Sequence, residues 1–269
     1  MTALFVPDGD RLLPTPYTGG PWRADAQHGG PPSAILGRSI EAVVEPGERI
    51  ARVAIELVRP VPLVPLRVVA ERVGVSRRVA HVEARIEVAD GGERDGQVVA
   101  TARGLLLATT AMPDPGYAAD EAEALIGPEA AVPAPDWATG AETIGYHKDA
   151  VEHRPVSGGF GAPGPADQWI RLRGPLVEGE HTSPLCRLLA VADFGSGISS
   201  IFDFSAGVGL INADITVAVH REPIGDWIRL QSTTRIGPDG VGLCTTILSD
   251  EHGPVGTGLQ SLLGVLGAD

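Results

Sequence analysis

His181-Thr182-Ser183-Pro184-Leu185-Cys186-Arg187-Leu188-Leu189-Ala190-Val191-Ala192-Asp193 is the stretch on which the fold turns. A proline opens an apolar helical run that closes on an acid. Proline suits a first helical turn, where a missing N–H costs nothing. The same frame stands earlier in the chain, where His28-Gly29-Gly30-Pro31 opens a run that reaches Ile40. Both histidines and both prolines lie 153 residues apart (181−28 and 184−31). Val58-Arg59-Pro60 is echoed by His220-Arg221-Glu222-Pro223, and Val99-Ala100-Thr101-Ala102 by Val255-Gly256-Thr257-Gly258. Laid together from these anchors, Ile40, Ile50 and Gly104 fall opposite Asp193, Asn212 and Gln260. An acid and two amides replace three inert residues, so the chain reads as a scaffold copy and a working copy of one pattern.

Around each helix lie strand-like runs. Arg52–Leu57 alternates polar and apolar residues, Leu66–Val73 is rich in valine, Arg78–Val88 alternates, and Val98–Leu107 closes the first set. The first helix is expected to reach about Val44, where Glu45-Pro46-Gly47 stops it. The second copy offers strands at 169–172, 213–219, 227–235, 242–248 and 255–262. One helix followed by four strands implies an antiparallel sheet wrapped around a helix, an α+β class. Tyr17–Trp22 reads as an edge strand. Residues 112–145 turn to Ala, Pro, Asp and Glu and read as a linker with a short helix at Ala118–Leu125. This divides the chain into 1–111, 112–145 and 146–269.

The 269 residues, 43% hydrophobic and 20% charged, suit a soluble globular protein with a real core. A net charge of −13 with 4% aromatic residues argues against a nucleic-acid partner. No apolar run is long enough to cross a bilayer, and no leader pattern opens the chain, so a cytoplasmic location is expected. Cys186 and Cys244 have no metal-type spacing and read as buried thiols.

The helix-on-sheet repeat resembles the hotdog fold, and its tandem arrangement resembles the double-hotdog acyl-CoA thioesterases of the thioesterase II type. Gly29-Gly30, Ala192-Asp193-Phe194, Asn212-Ala213-Asp214 before His220-Arg221, and Thr257-Gly258-Leu259-Gln260 carry that resemblance over nearly the whole chain. It implies a tandem (double) hotdog, in which an Asp, a Thr or Ser, and a Gln hold and activate a water. Asp193 falls on the Asp and Gln260 on the Gln. Asn212 stands where the family has Thr or Ser, and an amide can also donate to or accept from a water. The resemblance further implies an acyl-CoA substrate, no cofactor or metal, and a homo-oligomer.

Thioester hydrolysis needs a nucleophilic water, a group to take its proton, and donors for the oxyanion. Asp193 is the expected base, with Asn212 and Gln260 placing the water. The start of the first helix, at Gly29 and Gly30, offers free N–H groups and a positive dipole end for the oxyanion. Arg77-Arg78, the one adjacent basic pair, is the expected contact for the CoA phosphates.

Plainer roles compete at several positions. Asp193 could serve a turn with Gly195 and Gly197. His28 and His181 occupy matched helix starts and read as structural caps. Asp214 is the fallback acid. Gly159–Gly164 fits G-x-G-x-x-G formally, but Pro163 and Pro165 spoil the helix that should follow, so it reads as a loop. Two other functions stay open. One is a non-catalytic acyl-CoA-binding protein. The other is a hydratase, which would need an Asp–His pair near a helix start, and His181 has no Asp close by in sequence.

Overall fold

Two antiparallel helices form the centre, and their facing residues explain why they can touch. In the computed structural model, which describes residues 2–113, 126–132, 144–160, 162–202 and 207–267, α1 spans Gly30–Glu41 and α2 spans Pro184–Ala192. Gly30 lies so close to α2 that a Cβ built on it would stand 2.2 Å from the Ala190 carbonyl oxygen. Ser183 caps α2 by accepting from the Cys186 N–H at 3.1 Å. A short helix, α3 (Phe194–Ile198), follows α2 directly.

Among the described residues, thirteen strands wrap these helices: β1 (Phe5–Asp8), β2 (Arg11–Pro14), β3 (Glu48–Glu56), β4 (Leu66–Val75), β5 (Val79–Val88), β6 (Val98–Ala108), β7 (Val151–Gly159), β8 (Ala162–Leu172), β9 (Val208–Asn212), β10 (Asp214–Val219), β11 (Ile228–Ile236), β12 (Val241–Asp250) and β13 (Gly253–Leu266). They form one antiparallel sheet in the order β1-β2-β4-β5-β6-β3-β10-β13-β12-β11-β8-β7, with β9 paired to the end of β13. Read inward from either edge, the two halves present their strands in the same sequence. They meet where β3 pairs with β10, Ile55 opposite Ile215 and Val53 opposite Val217. All four of these side chains are buried in the main core.

The registers of the two halves coincide at the positions that differ chemically. Ile50 pairs with Leu106 ahead of an offset at Ala51, and Asn212 pairs with Leu262 ahead of an offset at Ala213. In the first half a Cβ on Gly104 would lie 2.8 Å from Ile40 Cγ2. In the second, Gln260 Nε2 donates to the Asp193 carbonyl oxygen at 3.1 Å. The same two places therefore touch in each half, through apolar packing in one and a hydrogen bond in the other.

Several sequence expectations needed correction. Tyr17–Trp22 is not a strand; a 3-10 turn occupies Pro16–Thr18, among residues whose prolines and glycines favour turns. The first helix ends at Glu41 rather than Val44. β7 went unread because Pro155 interrupts it, and a sheet-edge strand tolerates such a residue. β8 begins seven residues before Trp169 (169−162). The helix expected at 118–125 falls outside the described residues. Both cysteines are buried free thiols. No helix among the described residues is long and apolar enough to cross a membrane.

Candidate active site

Because the helices run antiparallel, the start of α1 meets the end of α2. Asp193 sits at the junction of α2 and α3, and its side chain caps neither helix. The carboxylate instead turns toward α1 and is engaged at both oxygens. Asn212 Nδ2 donates to Oδ1 at 2.9 Å, and His28 Nδ1 stands 2.7 Å from Oδ2. Both members of this pair are largely withdrawn from solvent, with side-chain exposures of 11% for His28 and 5% for Asp193.

His28 is held on several sides. Its backbone N–H donates to the Thr18 carbonyl at 2.9 Å. Its ring lies 4.6 Å from Phe194 and 5.0 Å from Tyr146, centroid to centroid. The Tyr146 hydroxyl is fixed in turn by donating to the Ala190 carbonyl at 2.8 Å. The Gly30 N–H stands 3.2 Å from His28 Nδ1. A proton on Nδ1 serves the shorter of these two contacts, the one to Asp193 Oδ2.

Gln260 approaches the same junction from the sheet. Its Nε2 donates to the Asp193 carbonyl, and its Oε1 accepts from the Ser196 N–H at 2.9 Å. Both ends of the amide thus grip the backbone at Asp193 and just after it. Asn212, by contrast, touches the carboxylate itself.

His28, Asp193 and Asn212 open onto a cavity of about 900 Å³. Its walls are mainly apolar, with Trp22, Val61, Phe160, Phe194, Leu210 and Leu263 among them. Gly29, Asp193 and Asn212 line it, and so do Arg23 and Arg59. Arg77 and Arg78 do not; they stand on the turn between β4 and β5. Asp214 is turned to a structural task, accepting from the Ser261 N–H at 2.6 Å.

The equivalent place in the other half is filled. Ile40 takes the position of Asp193 and is fully buried. Beside it the Ser183 hydroxyl donates to Glu41 Oε2 at 2.6 Å, and the Cys186 sulfur lies 3.2 Å from the same oxygen. Burial pushes both the Glu41 carboxyl and the Cys186 thiol above their usual pKa ranges, so this thiol is a core group. The hollow there measures about 50 Å³.

The sequence grouped Asp193, Asn212 and Gln260 with Gly29-Gly30, and these residues do converge. It missed His28, which it read as a cap. The signal was present in the histidine placed directly before the two glycines. What the linear chain does not show is that α1 begins where α2 ends.

Comparison with known proteins bears on this site. Residues 18–107 match the family model of the acyl-CoA thioesterase N-terminal domain, and residues 127–263 match that of the C-terminal domain. No curated protein matches the chain. Among solved structures, the chain is similar to a protein of Novosphingobium aromaticivorans named provisionally as a thioesterase, at 21% identity, covering 98% of this chain and 99% of that one with a TM-score of 0.68. A conserved protein of unknown function with a hotdog fold from Alicyclobacillus acidocaldarius is 14% identical, covering 97% and 95%, with a TM-score of 0.73. An acyl-CoA thioesterase II from Mycobacterium marinum is 13% identical, covering 96% and 94%, with a TM-score of 0.66. At these identities the likeness to solved structures speaks for a hotdog fold.

Proposed function

This chain belongs to the acyl-CoA thioesterase family and is a thioester hydrolase, and we propose that it splits acyl-CoA into free acid and CoA with a water activated by Asp193. The observation that carries this reading is the Asp193 carboxylate. It faces a large apolar cavity and is held by Asn212 on one oxygen and His28 on the other. In this reading the two halves are two hotdog units, the second bringing the base and the first bringing the helix that faces it.

The geometry supports a hydrolysis by direct attack of water. Asp193 takes a proton from water as its oxygen attacks the thioester carbonyl carbon. Asn212 and His28 fix the carboxylate's orientation, and Gln260 positions it through the backbone. The carbonyl oxygen, now negative, rests at the start of α1, where Gly29 and Gly30 let it approach the N–H groups and the helix dipole favours its charge. The carbon–sulfur bond then breaks, the proton on Asp193 passes to the CoA sulfur, and the acid leaves. Arg59 and Arg23, which line the cavity, are better placed for the CoA phosphates than Arg77 and Arg78.

A second reading has an observation of its own. His28 and Asp193 make an Asp–His pair at a helix start, the arrangement a hydratase would need, with His28 rather than His181 as its imidazole. Enoyl-CoA separates the two, since a hydratase would remove the conjugated double bond without releasing thiol.

The test is free-thiol release from acyl-CoAs of graded length, with Asp193→Asn beside the wild type. Release by the wild type and its near-complete loss in a folded Asp193→Asn protein is the expected result. Undiminished release by the variant would remove Asp193 from the role of base.

A further inference from the structure

Gln168, one of the residues that line the cavity, forms a second polar pair with His153. His153 Nε2 stands 2.8 Å from the His147 carbonyl oxygen, which can only accept, so Nε2 carries a proton. Burial pushes the His153 pKa down to about 4, so at neutral pH the ring has that one proton and Nδ1 is a bare acceptor. Gln168 Nε2, 2.6 Å from Nδ1, is therefore the donor in their contact. Oε1 is then the acceptor end of an amide whose residue lines the cavity.

That oxygen has no hydrogen-bond partner among the described residues, although Gln168 is only 1% exposed. Buried acceptors are rarely left so in a folded protein. The space beside it is kept clear by Gly159, where a Cβ would stand 3.5 Å from Oε1. The neighbouring wall is Pro155, Gly158, Phe160 and Ala162, which suits an acyl group. Arg23 and Arg59 also line the cavity, together with Gln27, a second amide whose buried oxygen has no partner among the described residues. These three side chains suit the phosphates and amide N–H groups of the CoA arm.

We infer that Gln168 Oε1 is a recognition point for the acyl group, and that the enzyme prefers hydroxyacyl-CoA thioesters whose hydroxyl donates to it. The inference rests on the acyl-CoA reading above. A neutral hydroxyl fits better than an ammonium, because Asp193 is the one carboxylate lining the cavity among the described residues, and it is already engaged. A site that presents a buried acceptor discriminates against a substrate that leaves it unpaired.

The experiment is calorimetric binding of non-hydrolysable S-alkyl-CoA thioethers to the wild-type protein. Each unsubstituted chain is compared with chains of equal length hydroxylated at successive carbons. At least one hydroxylated member should bind about tenfold more tightly than its parent, and Gln168→Met should bring the two together. The wild-type comparison stands even if that variant fails to fold. Equal binding of every pair would overturn the inference while leaving hydrolysis untouched. Failure of any thioether to bind would overturn both the inference and the acyl-CoA reading.

Discussion

The Asp193 carboxylate occupies the space that a side chain on Gly29 would take. A Cβ built on Gly29 would stand 2.7 Å from Asp193 Oδ2 and 2.9 Å from both Cγ and Oδ1. The glycine at the start of α1 and the acid at the end of α2 are thus one fitted pair, although 164 residues separate them (193−29). Gly29→Ala must push the carboxylate away from His28 and Asn212. We expect kcat to fall about 100-fold, the scale of a misplacement near 1 Å, while the thermal unfolding curve keeps its cooperativity. An unchanged kcat would show that the carboxylate's position is not critical.

Arg59 and Arg221 hold equivalent positions in the two halves but do different things. Arg221 is bound to Asp250, with Nη2 at 2.7 Å from Oδ1, and also bonds the Gly253 and Pro254 carbonyls. Arg59 is exposed at the cavity and has no ion pair among the described residues. Arg59→Ala should raise KM for acyl-CoA about tenfold, the order expected for one charge-assisted phosphate contact. KM for the matching acyl-pantetheine, which lacks the nucleotide, should stay the same. Equal effects on both substrates would place the nucleotide elsewhere.

The repeat was legible because its anchors are prolines and glycines that the helix starts require, and the aligned register followed from them. Ile40 opposite Asp193 and Gly104 opposite Gln260 are contacts within each half, so one alignment finds them. His28 against Asp193 is a contact between halves. It depends on the helices running antiparallel, which no local pattern encodes. The Gln168–His153 pair was hidden for another reason: it lies on β7 and β8, where Pro155 and the glycines at 158 and 159 erase the alternation that marks a strand. Arg77-Arg78 stood out as an adjacent pair, yet charge density along the chain says nothing of which face a hairpin turn takes.

Acid should weaken this fold through its buried imidazoles. Burial pushes both His147 and His153 down to about 4, against 6.5 when free. Between those values the unfolded chain binds protons that the native state refuses, so stability falls as pH drops from about 6.5 to about 4 and levels off below. Above pH 6.5 both states hold these rings neutral and the contribution is flat. Tm measured across that window should fall with pH, and His153→Gln should flatten part of the slope. A variant whose Tm runs parallel to the wild type would show that His153 takes its proton equally in both states.

Asn212 carries the difference between the two halves most directly, since the structurally equivalent residue is the inert Ile50. Its Nδ2 donates to Asp193 Oδ1 at 2.9 Å, and the strand offset at Ala213 fixes where it points. Asn212→Ala removes that donor and leaves the cavity walls in place. We expect kcat to fall roughly 10- to 100-fold, as for loss of one hydrogen bond to a charged group, with KM little changed. Asn212→Asp should be worse than Ala, because it sets a second carboxylate against the first and forces one of them to keep a proton. Asn212→Thr should retain more activity than either, since its hydroxyl can still donate toward the carboxylate. A rate for Asn212→Asp equal to that of the wild type would mean that the amide proton does not orient Asp193, and that His28 alone holds it.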